Sequence, residues 1–312
     1  MTMSSAQSNI ENKVDLKGNT KQSNHPVAKA LHIFFKAGDR FFVNKAGEIA
    51  SNLWFKPRKF KISTHERNIV EQAEIASFSL SQNKQVTYYR WGKSKKTILL
   101  VHGWEGRASQ FYKMIQHLIK NDYSVISFDA PGHGSSQGKD SDIIEFHQIM
   151  LHLQKIFGSF DGVIAHSFGA ICASYSINNG LESDKIVTIS TPSHFKGLVY
   201  KFQVILGLTD NVTDRLCKNI ESRFSEHHGD IWQNFSAYVN ARRASAKALI
   251  VHDKNDKEVP YEESVLIDEN WTDSQLLLTE GLGHKRILKD EATINSITEF
   301  LANTQASETM LN

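Results

Sequence analysis

Ser167 stands in Ala165-His166-Ser167-Phe168-Gly169, directly after the apolar run 162–165 and at the start of a second apolar stretch, Ala170, Ile171, Cys172, Ala173 and Tyr175. A serine between small residues at a strand-to-helix junction has the makings of a nucleophile elbow, a tight turn that lifts the hydroxyl above a sheet. Here the leading small residue is alanine, whose methyl slightly alters the turn. A serine hydroxyl is a weak nucleophile at neutral pH and needs an adjacent base, which in turn needs an orienting partner. His284, in Gly281-Leu282-Gly283-His284, follows the last apolar strand on a glycine-rich loop. Asp256, in His252-Asp253-Lys254-Asn255-Asp256, follows the strand before it. Asp253 is an alternative acid, but Asp256 fits an Asp-x-x-Val-Pro pattern with Val259 and Pro260. The expected chemistry is nucleophilic catalysis, with Ser167 as nucleophile, His284 as general base and Asp256 orienting the imidazole.

Acyl transfer also needs hydrogen-bond donors for a developing oxyanion, each worth about 10²–10³ in rate. One is expected from the backbone N–H of Phe168. The other is expected from Trp104, in His102-Gly103-Trp104-Glu105-Gly106, where Gly103 lets backbone and substrate approach closely. His102, Gly103 and Trp104 are the candidate wall of the substrate pocket, although the Trp104 indole fits packing equally well. Asp129 and His133 read as residues that hold their own turn, and His166 as structural. His227-His228 has no cysteine or carboxylate pairing to make a metal site, so no metal is expected.

These residues need a scaffold that gathers strand ends. Strands are read at 86–91, 97–102, 125–128, 162–165, 185–190, 247–252 and 275–279, and helical stripes at 111–119, 143–157 and 287–301. Ile98-Leu99-Leu100-Val101 is apolar without interruption, as a strand covered on both faces must be. Strands alternating with helices of this length predict an α/β fold with a mostly parallel, doubly wound sheet. Ligands of such sheets bind beyond the carboxyl ends of the strands, where Ser167, Asp256 and His284 all fall.

The body is therefore divided into an α/β core over 61–192 and 246–305, and a helical cap over 193–245 that lacks any strand pattern. Residues 1–25 are polar and are expected to be disordered. Residues 26–60 form an amphipathic extension, one helix or two broken near Gly38 or Gly47. Its apolar stripe is expected to pack on the main domain. A peripheral membrane contact through 29–55 is the alternative. The basic run 56–61 is read as solvated surface.

The chain resembles the α/β-hydrolase superfamily in HGWEG, in the string Phe128 to Ser136, in AHSFG, in the string Asp256 to Pro260 and in GLGH. The resemblance spans about 84–301. It implies a hydrolase without a cofactor and with a helical cap over the site. The family's dehalogenases carry aspartate where Ser167 stands, and its proline iminopeptidases carry HGGPG; neither branch fits. A small-molecule ester or thioester is the expected substrate. The same triad also serves acyl transfer or a membrane-surface lipid hydrolase, and a non-catalytic binding module is a further alternative.

The totals set outer limits. The chain has 312 residues, 40% of them hydrophobic, enough for a large core. A formal net charge of +2 argues against nucleic acid as a partner. Two cysteines, Cys172 and Cys217, cannot make a disulfide framework and are expected as reduced thiols. With no apolar run of spanning length and no signal-like N-terminus, the expectation is a soluble, cytoplasmic protein.

Overall fold

The computed structural model describes residues 26–225 and 229–303. The tail expected over 1–25 and the pair His227-His228 lie outside the described residues. The chain opens with α1 (Pro26–Phe41), α2 (Val43–Trp54), α3 (Thr64–Val70), β1 (Glu74–Ser81), β2 (Lys84–Trp91) and β3 (Thr97–Val101). Then come α4 (Tyr112–Lys120), β4 (Ser124–Asp129), α5 (Ile143–Phe157), β5 (Gly162–His166), α6 (Phe168–Ile177) and β6 (Lys185–Ile189). Four helices follow without a strand: α7 (Phe195–Leu206), α8 (Asp210–Phe224), α9 (Ile231–Asn234) and α10 (Ala237–Ala241). The chain closes with β7 (Lys247–Asp253), α11 (Glu262–Asn270), β8 (Ser274–Thr279), α12 (Gly283–Arg286) and α13 (Glu291–Ala302).

The eight strands form one sheet in the order β1-β2-β4-β3-β5-β6-β7-β8. Pairing is antiparallel from β1 to β2 and from β2 to β4, and parallel elsewhere. Every residue of β4 and β5 is buried, which is why these strands read as apolar runs rather than alternating ones. The strand period of two divides β3 between two cores. Leu99 and Val101 pack with Phe146, Val163 and Ile171, whereas Ile98 and Leu100 pack with Met114, Ile164 and Ile297.

Among the elements with no counterpart in the sequence reading are α3 and β1. The first is announced by Ser63, whose hydroxyl accepts from the Glu66 amide while the Glu66 carboxylate accepts from the Ser63 amide, a capping box. The second is an edge strand whose residues are mostly exposed, so its apolar alternation is weak.

The N-terminal extension forms two helices, and the break falls at Phe42 (φ −157°), not at either glycine. The glycines sit where helices touch instead. A methyl on Gly47 would lie 2.4 Å from Arg215 Cγ of α8, and one on Gly38 would lie 2.9 Å from Ala46 Cβ. Phe35, Ala46 and Ala50 are fully buried, and Leu31, Ile49 and Leu53 pack against the same core. The apolar stripe is thus used on the protein itself, chiefly against α7 and α8. Ile33 and Phe41 are the large apolar residues of α1 left exposed.

Polar and aromatic contacts fix this arrangement. His32 Nδ1 lies 2.8 Å from the Gly207 carbonyl, Arg215 donates to Asn44, and the Trp54 and Phe202 rings meet edge-on at 5.3 Å. The insertion α7–α10 is also tied to the core: Lys201 Nζ lies 2.6 Å from Glu263 Oε1, with that carboxylate 1% exposed. Among the described residues, no helix is long and apolar enough to cross a membrane.

Candidate active site

Ser167 occupies the turn between β5 and α6 with φ 54° and ψ −123°, a conformation non-glycine residues rarely adopt. Neighbouring structure holds it there. Its N–H donates to the Ile189 carbonyl of β6 at 2.8 Å, and its carbonyl accepts from Ala170 N at 2.9 Å. The close crossing of α6 over the loop after β3 is made by glycines. A methyl on Gly169 would lie 2.2 Å from the His102 carbonyl oxygen, and one on Gly103 would lie 3.1 Å from Ser167 Cβ. Ala165 is fully buried in β5 and paired with Val101 and Thr188, so its methyl is accommodated.

His284 lies on α12, just past Gly281 (φ 83°) and Gly283 (φ 66°), which turn the chain back over the sheet. Its Nε2 is 3.1 Å from Ser167 Oγ, and its Nδ1 is 2.7 Å from Asp256 Oδ2. Asp256 Oδ1 accepts from the amides of Glu258 (2.8 Å) and Val259 (3.0 Å), which leaves Oδ2 for the imidazole. Burial raises the affinity of the Asp256 carboxyl for a proton, but donors from His252, His284 and Val259 outweigh it and hold the group well below the usual carboxylate range. An ionised acceptor at Nδ1 places the imidazole hydrogen there and leaves Nε2 free to accept from the serine hydroxyl.

Asp253, the alternative acid, is engaged elsewhere. It accepts from Thr279 Oγ1 (2.8 Å), Leu282 N (3.0 Å), Gly283 N (2.8 Å) and Asn255 N (3.0 Å). It therefore shapes the loop that carries His284, and Asp256 is the carboxylate that reaches the ring.

The loop after β3 is a tight turn closed by Gly106 N to Gly103 O at 3.0 Å, with Trp104 and Glu105 (φ 59°) at its centre. Phe168 is the first residue of α6, so its N–H has no helical acceptor. The Trp104 ring meets Phe168 at 5.4 Å and His133 at 5.2 Å, packing on the core side of its loop. His102 does not fit the sequence expectation of a pocket residue. It is fully buried; its Nδ1 donates to the Gly103 carbonyl (2.7 Å), and its Nε2 accepts from Ala130 N (3.0 Å). Both ring nitrogens serve the loop's own backbone.

Two groups that shape the site were not read from the sequence. His166 Nε2 donates to the His284 carbonyl at 2.9 Å, so the residue before the serine braces the base. The charged residues of the basic run at 56–61 are exposed, as expected, but two of them also make contacts that the sequence does not announce. Arg58 grips both carboxylate oxygens of Glu105 at 2.6 and 2.9 Å, Lys59 donates to the Gly134 and Ser136 carbonyls, and Arg107 donates to the Phe60 carbonyl. No spacing rule signals such contacts, because their partners lie 47–77 residues away. An open cleft of about 500 Å³ between α2 and α8, lined by Phe55, Lys56, Lys139 and Arg223 among others, contains none of Ser167, Asp256 and His284.

Three buried histidines make the site sensitive to acid. Burial, first, holds His102 down at about 4; burial and the neighbouring His102 hold His133 at about 3; burial and His284 hold His166 well below the usual histidine range. The unfolded chain takes up these protons from about pH 6.5 downward, whereas the native protein does not. The stability they contribute is complete above about pH 6.5 and is lost as pH falls toward the native values. Urea unfolding at successive pH values should show a free energy that declines from pH 6.5 to 5, with a slope of up to about 4 kcal/mol per pH unit if all three act. A flat profile over that window would contradict this account.

Residues 96–280, more than half of the chain, match the family model described as alpha/beta hydrolase fold. No curated protein sequence matches. Among solved structures, an esterase from Pyrococcus furiosus is similar with a TM-score of 0.60 and 19% identity over 79% of this chain and 96% of that one. A membrane phospholipase A described as a bacterial virulence factor is similar with a TM-score of 0.57 and 15% identity, covering 88% and 96%. A bromoperoxidase from Bacillus anthracis is similar with a TM-score of 0.56 and 16% identity, covering 73% and 99%. At such identities the likeness is one of fold, and a fold hosts many chemistries.

Proposed function

The chain belongs to the α/β-hydrolase fold family, and from that premise we propose that it is a serine hydrolase that cleaves a carboxylic ester or thioester through an acyl-enzyme. The observation that carries this reading is the continuous contact from Ser167 Oγ to His284 Nε2 to Asp256 Oδ2, at 3.1 and 2.7 Å. His284 takes the hydroxyl proton as Ser167 Oγ attacks the substrate carbonyl. The tetrahedral oxyanion rests on the amides of Phe168 and Trp104, with the N-terminus of α6 adding its partial positive charge. The imidazolium, stabilised by the Asp256 carboxylate, then gives its proton to the leaving alcohol or thiol. Water, deprotonated by His284, attacks the acyl-enzyme and releases the acid and Ser167.

The chemistry is completed by side chains and backbone amides, so this reading calls for no cofactor or metal. Gly103 supports it, since it lets the Trp104 turn lie against the serine.

The test is labelling with a fluorophosphonate, followed by peptide mapping and a series of p-nitrophenyl esters of increasing chain length. The modified peptide should contain Ser167, and the series should yield free acid even with a competing alcohol or thiol present. A folded protein that resists the probe would refute the proposal. Acyl products formed in preference to acid would replace hydrolysis by transfer at the same serine.

A further inference from the structure

His252, the next-to-last residue of β7, is fully buried and takes no part in the triad. Its ring is satisfied at both nitrogens. The Val259 carbonyl lies 2.9 Å from Nε2, and a carbonyl only accepts, so Nε2 carries the hydrogen. The same nitrogen faces Asp256 Oδ2 at 3.3 Å. Nδ1 lies 2.6 Å from the hydroxyl of Ser264, and that serine is fully buried in α11. Oδ2 is also the oxygen that meets His284 Nδ1.

From this geometry we infer that His252 is a positioning residue for the reaction. It anchors the Asp256 carboxylate from behind, in a chain that runs Ser264, His252, Asp256, His284, Ser167. The inference rests on the proposed roles of the last three. Backbone amides fix Oδ1 of Asp256, while Oδ2 has His284 on one side only. A second donor opposite sets the plane of the carboxylate, so that Oδ2 stays in line with the imidazole. No proton passes through His252, because the Val259 carbonyl and the Asp256 carboxylate both keep a hydrogen on Nε2.

The test uses fluorophosphonate labelling under saturating kinetics, which separates probe affinity (Ki) from the rate of attack (kinact). His252→Leu removes the donor, and His252→Gln keeps an N–H that can reach Oδ2. Relative to wild type, His252→Leu should lower kinact about 10–100-fold, by analogy with the loss of hydrogen-bond partners that orient metal ligands, with Ki unchanged. His252→Gln should restore kinact to within about threefold of wild type. Ser264→Ala, which leaves the Nε2 donor in place but removes the hydroxyl that steadies the ring at Nδ1, should lower kinact to a smaller extent and provides the measurement if the leucine variant does not fold. Thermal unfolding establishes that each protein is native. The inference is overturned if folded His252→Leu or Ser264→Ala keeps the wild-type kinact, or if His252→Gln falls as far as His252→Leu. Failure of the wild-type protein to label would instead remove the proposed role of Ser167.

Discussion

Ser167→Ala should lower kcat/KM with aryl esters by about 10⁴-fold or more while leaving the unfolding midpoint nearly unchanged. The substitution removes one oxygen. The Ser167 amide still donates to the Ile189 carbonyl, and the turn at φ 54° is as strained for alanine as for serine. Substrate binding rests on surfaces that the change does not touch, so KM should move little and the loss should appear in kcat. Adding His284→Ala to the alanine variant should then cost almost nothing further, because nucleophile and base act as a unit. A Ser167→Ala protein that hydrolyses aryl esters at the wild-type rate would show that another group is the nucleophile.

Gly169→Ala is expected to have the largest effect on stability of any single methyl added near the site. The new carbon would lie 2.2 Å from the His102 carbonyl oxygen and 2.8 Å from the Val101 oxygen. Both are backbone atoms at the end of a central strand, so no side chain can rotate away to make room. α6 must retreat from the β3 loop, and that movement carries Phe168 N–H away from Trp104. Overpacking of this kind costs about 1–3 kcal/mol, and more where backbone must move. Urea unfolding should show a loss of at least about 3 kcal/mol, and whatever folded protein remains should label slowly with the fluorophosphonate. Wild-type stability and labelling in this variant would mean that the helix and loop are not in such close contact.

Central strands were legible because burial on both faces forces unbroken apolar runs, as in β3 and β5. Ser167, Asp256 and His284 were legible because they follow such runs directly, and the structure brings them within hydrogen-bond reach. β1 escaped notice because an edge strand with mostly exposed residues carries only a faint alternation. Backbone freedom is greatest at Gly38 and Gly47, which is why the sequence points to a helix break there, but those positions are set by helix contact and the chain turns at Phe42. His252 lies in the same short string as Asp256, yet its pairing with Ser264 across 12 residues depends on how α11 returns to the sheet. Arg58 and Glu105 are 47 residues apart, and only the folded chain shows that they meet.

The segment from α1 to Phe60 spans two bodies, like a beam resting on two abutments. At one end it bears on α7 and α8, where Gly47 admits Arg215 and the Gly207 carbonyl meets His32. At the other, Arg58 and Lys59 seat it on the loops that follow β3 and β4. While both seats hold, the segment links the insertion to the loops at the edge of the sheet. Any movement that opened a path beneath the insertion would load the Arg58–Glu105 joint, and so would be felt one residue from the Trp104 amide.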